Sequence, residues 1–112
     1  MLVSELAAHI GAAVVTQGVP DGEVTCGYTC DLLSWVMARG KAGCAWVTVQ
    51  THMNVVAVAS LHDMACIICP EGIEPEAPSV EKAAQEGIAV LRSDKSAYEI
   101  CGLMHQAGIP AV

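Results

Sequence analysis

The stretch from Cys44 to Cys69 constrains the fold more than any other part of the chain. It reads "CAWVTVQ", then "THMNVVAVASLHD", then "MACIIC". The outer two are short apolar runs with the length and branching of buried strands. The thirteen residues between them suit a crossover between parallel neighbours and far exceed a hairpin turn. Residues 51–63 are therefore expected to form a short buried helix capped by Thr51 or Asn54, despite the β-branched residues in it.

The same alternation extends in both directions. Leu2, Leu6 and Ile10 recur at helical spacing, and Gly11 ends a helix over Leu2–His9. "AAVVT" follows as a strand, and "QGVPDGEVT" has the chemistry of a turn or loop. A helix capped by Asp31 or Thr29 runs to about Arg39 with Leu32, Leu33, Val36 and Met37 inward, and "RGKAG" stops it. "PEGIEPEAPS" reads as a surface loop, Ser79 starts a helix ending near Gly87, and "IAVLR" is a strand. "SAYEICGLMHQAG" is a final helix from about Ser96, closed by Gly108 and Pro110. The pattern predicts an α/β fold: a single three-layer domain whose mostly parallel sheet of four or five strands is flanked by helices. With 112 residues and no repeat or dividing linker, residues 1–112 form one domain.

Composition bears on partners. A net charge of −7 and no Lys/Arg cluster argue against nucleic acid or an anionic membrane as partner. Hydrophobic residues make up 54% and charged residues 15%, with a mean hydropathy of +0.48. So apolar a chain leaves little polar surface, and a homodimer or a partner enzyme is expected to cover what an isolated monomer would expose. No apolar run reaches the roughly 18 residues of a spanning helix, and "MLVSELAAHIGAAVV" has no basic leader, so the expected location is cytoplasmic. There, six cysteines are more naturally free thiols, metal ligands or redox groups than disulfides.

"CGYTC" and "CIIC" are the two cysteine pairs that bear on chemistry. Cys66 and Cys69 fall on a strand, where residues three apart face opposite ways. Cys30, just before "DLLSWVMA", sits where a helix dipole would lower a thiol's pKa, but its spacing to Cys26 is not that of a redox motif. Cys26 and Cys30 are the candidate metal ligands, for zinc or an iron–sulfur cluster; the competing reading is that all six thiols are small buried hydrophobes. The four histidines are scattered, and no phosphate-cradling glycine loop or nucleophile elbow is present. No kinase-type phosphate loop is present and a catalytic role is not expected, the remaining alternative being an acid–base enzyme that uses His52 with Asp21 or Asp31 in the strand-end cleft.

In open parallel sheets, ligands bind beyond the C-terminal ends of the strands. "TQGVPDG", "QTHMN", "CPEG" and "RSDKS" are expected to gather there. Gln50, Thr51, His52 and Asn54 interrupt two apolar stretches; Thr51 and Asn54 have a second role as caps, whereas Gln50 and His52 are the better candidates for ligand contact. "EVTCGYTCD" offers a second site: a turn with Thr25, Gly27 and Thr29 leading into a helix N-terminus, whose amides could hold an anion. A plain tight turn, with Gly27 at positive φ, is the alternative there.

On "DGEVTCGYTCDLLSWVMA", "WVTVQTHMNVVAVASLHDMACIIC" and the spacing to "IAVLRSDKSAYEICGLM", the chain resembles a stand-alone DRTGG-domain protein over nearly its whole length. Related domains occur in phosphotransacetylases, between regulatory modules of some pyrophosphatases, and in proteins described as HPr kinase relatives; stand-alone members are sometimes described as hydrogenase-associated. The resemblance implies an α/β regulatory or assembly domain, often dimeric. Asp21 matches the acidic start of the signature and "TCG" stands where the family has Thr-Gly-Gly, but Gly22 takes the arginine position, so an arginine grip on phosphate is missing. The expected function is a non-catalytic regulatory or assembly module. It would bind a small ligand, a nucleotide or other anion among them, or a partner enzyme through the strand-end loops, with no cofactor. The alternative is an iron–sulfur or zinc-binding redox accessory protein of a hydrogenase-type system.

Overall fold

In the computed structural model, which describes residues 1–112, ten elements alternate along the chain. They are α1 (Val3–His9), β1 (Ala12–Val14), β2 (Cys26–Thr29), α2 (Leu33–Arg39), β3 (Cys44–Val47), α3 (Met53–Leu61), β4 (Cys66–Cys69), α4 (Ala77–Gln85), β5 (Ala89–Ser93) and α5 (Ala97–Gln106). They build one five-stranded sheet in the order β1-β5-β4-β3-β2. The pairs β2–β3, β3–β4 and β4–β5 are parallel, and β1 joins β5 antiparallel.

From β2 to β5 the chain always steps to the next strand on the same side. Right-handed crossovers that all step one way must lay their helices on one face. Accordingly Val36 of α2, Val55, Val56, Val58 and Ala59 of α3, and Ala83 of α4 share one core with Cys44, Trp46, Ile67, Cys69 and Val90 of the sheet. The intervening strand residues Ala45, Val47, Cys66, Ile68, Ala89 and Leu91 turn to the other face, where α1 and α5 supply Val3, Leu6, Ala7, Ile10, Ile100 and Met104. Strands β3 and β4 are buried throughout, as central strands covered on both faces must be. Trp46 is fully buried, and its indole N–H donates to the Cys30 carbonyl at 2.9 Å; removing a side chain of that size costs about 3–5 kcal/mol.

Several local expectations are corrected. The stretch read as a turn, "CGYT", is the edge strand β2, in register with β3 from Cys26↔Cys44 to Thr29↔Val47. Gly27 is not at positive φ and is held extended by that pairing. The α2 N-cap is Leu32, with no side-chain cap from Asp31 or Thr29, and of its four expected inward residues only Val36 is buried. The α3 cap is His52 rather than Thr51 or Asn54: its ring accepts the Asn54 amide. Helix α4 starts at Ala77, with Pro78 in its first turn, before Ser79.

Candidate functional site

The polar loops beyond β2, β3 and β4 do meet, but they hydrogen-bond to one another. Asp31 Oδ1 accepts the Thr48 hydroxyl at 2.8 Å and the Val49 amide at 2.9 Å. Gln50 donates its side-chain amide to the Asp31 carbonyl at 3.1 Å, and its backbone amide to the Thr48 hydroxyl at 3.2 Å. The Thr51 hydroxyl donates to Glu76 at 3.2 Å, while its carbonyl accepts the buried Ser79 hydroxyl at 2.7 Å. The His52 Nδ1 takes the Asn54 amide at 3.1 Å. The hollow beside Gln50, Thr51 and His52 holds about 10 Å³, barely room for one water. In the chain by itself these residues knit three loops together.

Thr25 and the loop "TQGVPDG" stand elsewhere. Because β1 is antiparallel to β5, the chain leaving β1 emerges at the opposite end of the sheet, where Val15 bonds to the Val90 carbonyl. Thr25 is at that end as well, donating its hydroxyl to the Ala42 carbonyl at 3.0 Å. Moreover, every parallel connection steps the same way, so the sheet lacks the reversal of strand order at which a crevice opens.

A larger opening lies at the β2 edge. Gly27, Tyr28 and Thr29 form one wall, Cys101, Met104 and His105 of α5 the other, and Ile109, Pro110 and Ala111 the end, around about 330 Å³. That volume lies in the range of small-molecule sites, which combine an apolar lining with a few converging polar groups. The tail is fixed there because the Gly27 amide donates to the Pro110 carbonyl at 2.8 Å, with a parallel bridge between Gly27 and Ala111. Strand geometry turns every second amide to the same side, so Thr29 also presents its N–H and C=O outward into the cleft. The Thr29 hydroxyl donates to the Val47 carbonyl at 3.1 Å and lies beside the Cys101 thiol.

Cys101 and His105 lie one helical turn apart on that wall. Burial pushes the Cys101 thiol upward, partly offset by the Thr29 hydroxyl beside it. A thiol held protonated is slower to react than a free one. Gly27 and Thr29, expected in an anion-binding turn, line this cleft instead; Cys101 and His105 were not among the expected residues, their four-residue spacing on a helix being the one signal available.

The cysteines arrange themselves differently from the pairs in the sequence. Cys26 and Cys30 lie four residues apart along extended chain, roughly 13 Å at the rise of a strand, too far to share one ion. The neighbour of Cys26 is Cys44, directly across from it on β3 and in thiol contact with it. All six cysteines are free, and no three His, Cys, Asp or Glu side chains converge at metal-binding distance. No helix is long and apolar enough to cross a membrane.

No family model matches the chain, and no curated protein matches it. Among solved structures, it is similar to the regulatory region of Clostridium perfringens pyrophosphatase, made of CBS and DRTGG domains and crystallised with its activator diadenosine tetraphosphate. The TM-score is 0.72 at 13% identity over 96% of this chain. The chain spans about half of that structure, 47% of its length. The likeness is one of fold, and it agrees with the DRTGG-like architecture.

Proposed function

We propose that the chain is a non-catalytic regulatory or assembly module that works as a homodimer and takes a small ligand in the cleft between β2 and α5. The observation that carries this reading is the 330 Å³ opening at a sheet edge, where the Thr29 backbone and the Cys101 and His105 side chains converge on an apolar lining. The ligand site thus moves from the strand-end loops to the edge, keeping Gly27 and Thr29. Gln50, Thr51 and His52 of the loop and Asn54 in the first turn of α3 remain exposed or half-exposed and suit contact with a partner enzyme.

Adenine nucleotides are the first ligands to try, since the region of similar fold was crystallised with diadenosine tetraphosphate. Cys101 supplies a native reporter. In a Cys30→Ser background, Cys101 is the one cysteine left that is not buried, so alkylation under native conditions reads the cleft. A bound nucleotide slows that alkylation at least about fivefold, and Thr29→Pro, which removes the outward amide, abolishes the protection. Unchanged labelling with millimolar nucleotide, together with no heat of binding, removes the nucleotide reading.

A further inference from the structure

Helix α3 reads Met-Asn-Val-Val-Ala-Val-Ala-Ser-Leu, without a charge. Its inner side is filled by Val55, Val56, Val58 and Ala59. Its outer side repeats an apolar residue every four positions, Met53, Ala57 and Leu61, all exposed. Only Asn54 and Ser60 interrupt the apolar character of this helix, and so uncharged and largely apolar a helix is better covered than left in water. Beside it, α2 leaves Trp35 half open at 50% and Met37 at 51%, with Leu32 at 61% and Leu61 of α3 at 64%. Contiguous apolar surface of this kind on a single chain marks an interaction site.

The relief and charge of the face identify what covers it. With Val36 pointing into the core, the crown of α2 is Ser34 and Ala38, both exposed. Small residues one turn apart allow a second helix to approach at the close end of the usual roughly 8–10 Å range. Trp35 and Met37 flank that crown. Asp31 stands before the helix, and Arg39 and Lys41 stand at its far end with no ion pair of their own. Arg39 lies over the Trp35 ring at 5.2 Å. Acid at one end, base at the other and apolar surface between make the helix complementary to an antiparallel copy of itself. Laid antiparallel on a copy of itself, α2 meets its own complement at both ends.

We infer that the outer face of α2 and α3 is the homodimer surface, with the two α2 helices antiparallel across the axis and Arg39 of each copy beside Asp31 of the other. This rests on the homodimer part of the proposed function and supplies its geometry.

The test is sedimentation equilibrium of the full chain and its variants across a concentration series. The wild type is a dimer. Trp35→Glu and Ala57→Glu, on separate helices, each raise the dimer dissociation constant at least about 30-fold, the loss expected for a central contact. Arg39→Asp weakens the dimer, and the weakening shrinks in high salt. Tyr98→Glu on α5, at a side chain 90% exposed on the opposite layer, leaves the dimer intact. Circular dichroism checks each fold, and Ala57→Glu carries the test if Trp35→Glu misfolds. A dimer indifferent to both glutamates overturns the face alone; a wild-type monomer overturns the homodimer as well, and leaves ligand protection at Cys101 to stand or fall by itself.

Discussion

Asp31 and Thr48 close the gap between β2 and β3 beyond the end of their pairing: the Thr48 hydroxyl, on a residue only 1% exposed, donates to Asp31 Oδ1 at 2.8 Å. The same oxygen accepts the Val49 amide at 2.9 Å. Asp31 thereby ties the edge strand β2, whose outer side is met only by the short tail at Ala111, to the buried strand β3. Its replacement by alanine strands a buried hydroxyl and an amide. Hydrogen bonds to a charged acceptor are worth about 1.5–3 kcal/mol, discounted here because Asp31 is exposed. Asp31→Ala is expected to lower stability by about 1–2 kcal/mol in urea unfolding, and Asp31→Asn, which keeps the acceptor oxygen, by less than half as much.

Buried thiols make the protein alkali-sensitive. Burial pushes Cys66 up to about 12 and Cys69 up to about 11, from an ordinary value of 9.0. Cys44 is pushed up as well, by burial first and then by Cys26 beside it. In the folded chain these groups hold their protons, while in the unfolded chain they ionise near 9. Their contribution is therefore fully present below pH 9 and is lost as pH rises from there toward 11–12. The slope is up to about 1.4 kcal/mol per thiol per pH unit within that window. Urea midpoints should be flat from pH 7 to 8.5 and fall steeply by pH 10.5. In Cys66→Ala the fall is shallower, whatever that variant's stability at neutral pH.

What was legible in the sequence follows a physical division. Strands β3 and β4 announce themselves because a strand covered on both faces must be apolar at every position, and the length of "THMNVVAVASLHD" forces a crossover whatever its propensity. The sequence of β2 carries no such mark. "CGYT" becomes a strand because β3 offers it a free edge, and glycine and threonine there read locally as a turn. The antiparallel sense of β1 is likewise a matter of which edge the chain reaches, so the position of "TQGVPDG" could not be foreseen. His52 read as a candidate for ligand contact and not as a cap, because its role as a cap depends on helix α3 starting one residue after it. The cleft joins Gly27 and Thr29 to Cys101 and His105 from the far end of the chain, a meeting that only the β5–α5 return creates.

Gly40 illustrates a glycine fixed by close approach. A Cβ at this position would lie 2.9 Å from the Val36 carbonyl oxygen, 2.6 Å from the Met64 methyl and 2.7 Å from the His62 ring. The side chains can shift, but the carbonyl belongs to α2 itself. Gly40→Ala is expected to cost about 1–3 kcal/mol through overpacking. Gly102, within α5, has nothing near its Cβ position, and Gly102→Ala should stabilise by about 0.5–1 kcal/mol through helix propensity. Thermal unfolding of the two single variants separates the cases by sign.

Glu71 is the opposite case, a side chain where the backbone favours glycine. Its φ is 61°, in the left-handed region. The turn is pinned from both sides, since the Glu71 amide donates to the Lys95 carbonyl at 2.8 Å and the Gly72 amide to the Ser93 carbonyl at 2.9 Å. The left-handed conformation costs an ordinary residue about 1–2 kcal/mol, and glycine returns part of that gain by being freer when unfolded. Glu71→Gly should therefore stabilise by about 0.5–1 kcal/mol. Glu71→Val, branched at Cβ and less tolerant of positive φ, should destabilise by at least about 1 kcal/mol. If both substitutions shift the urea midpoint in the same direction, the backbone at this turn does not govern its stability and the loss of the carboxylate does.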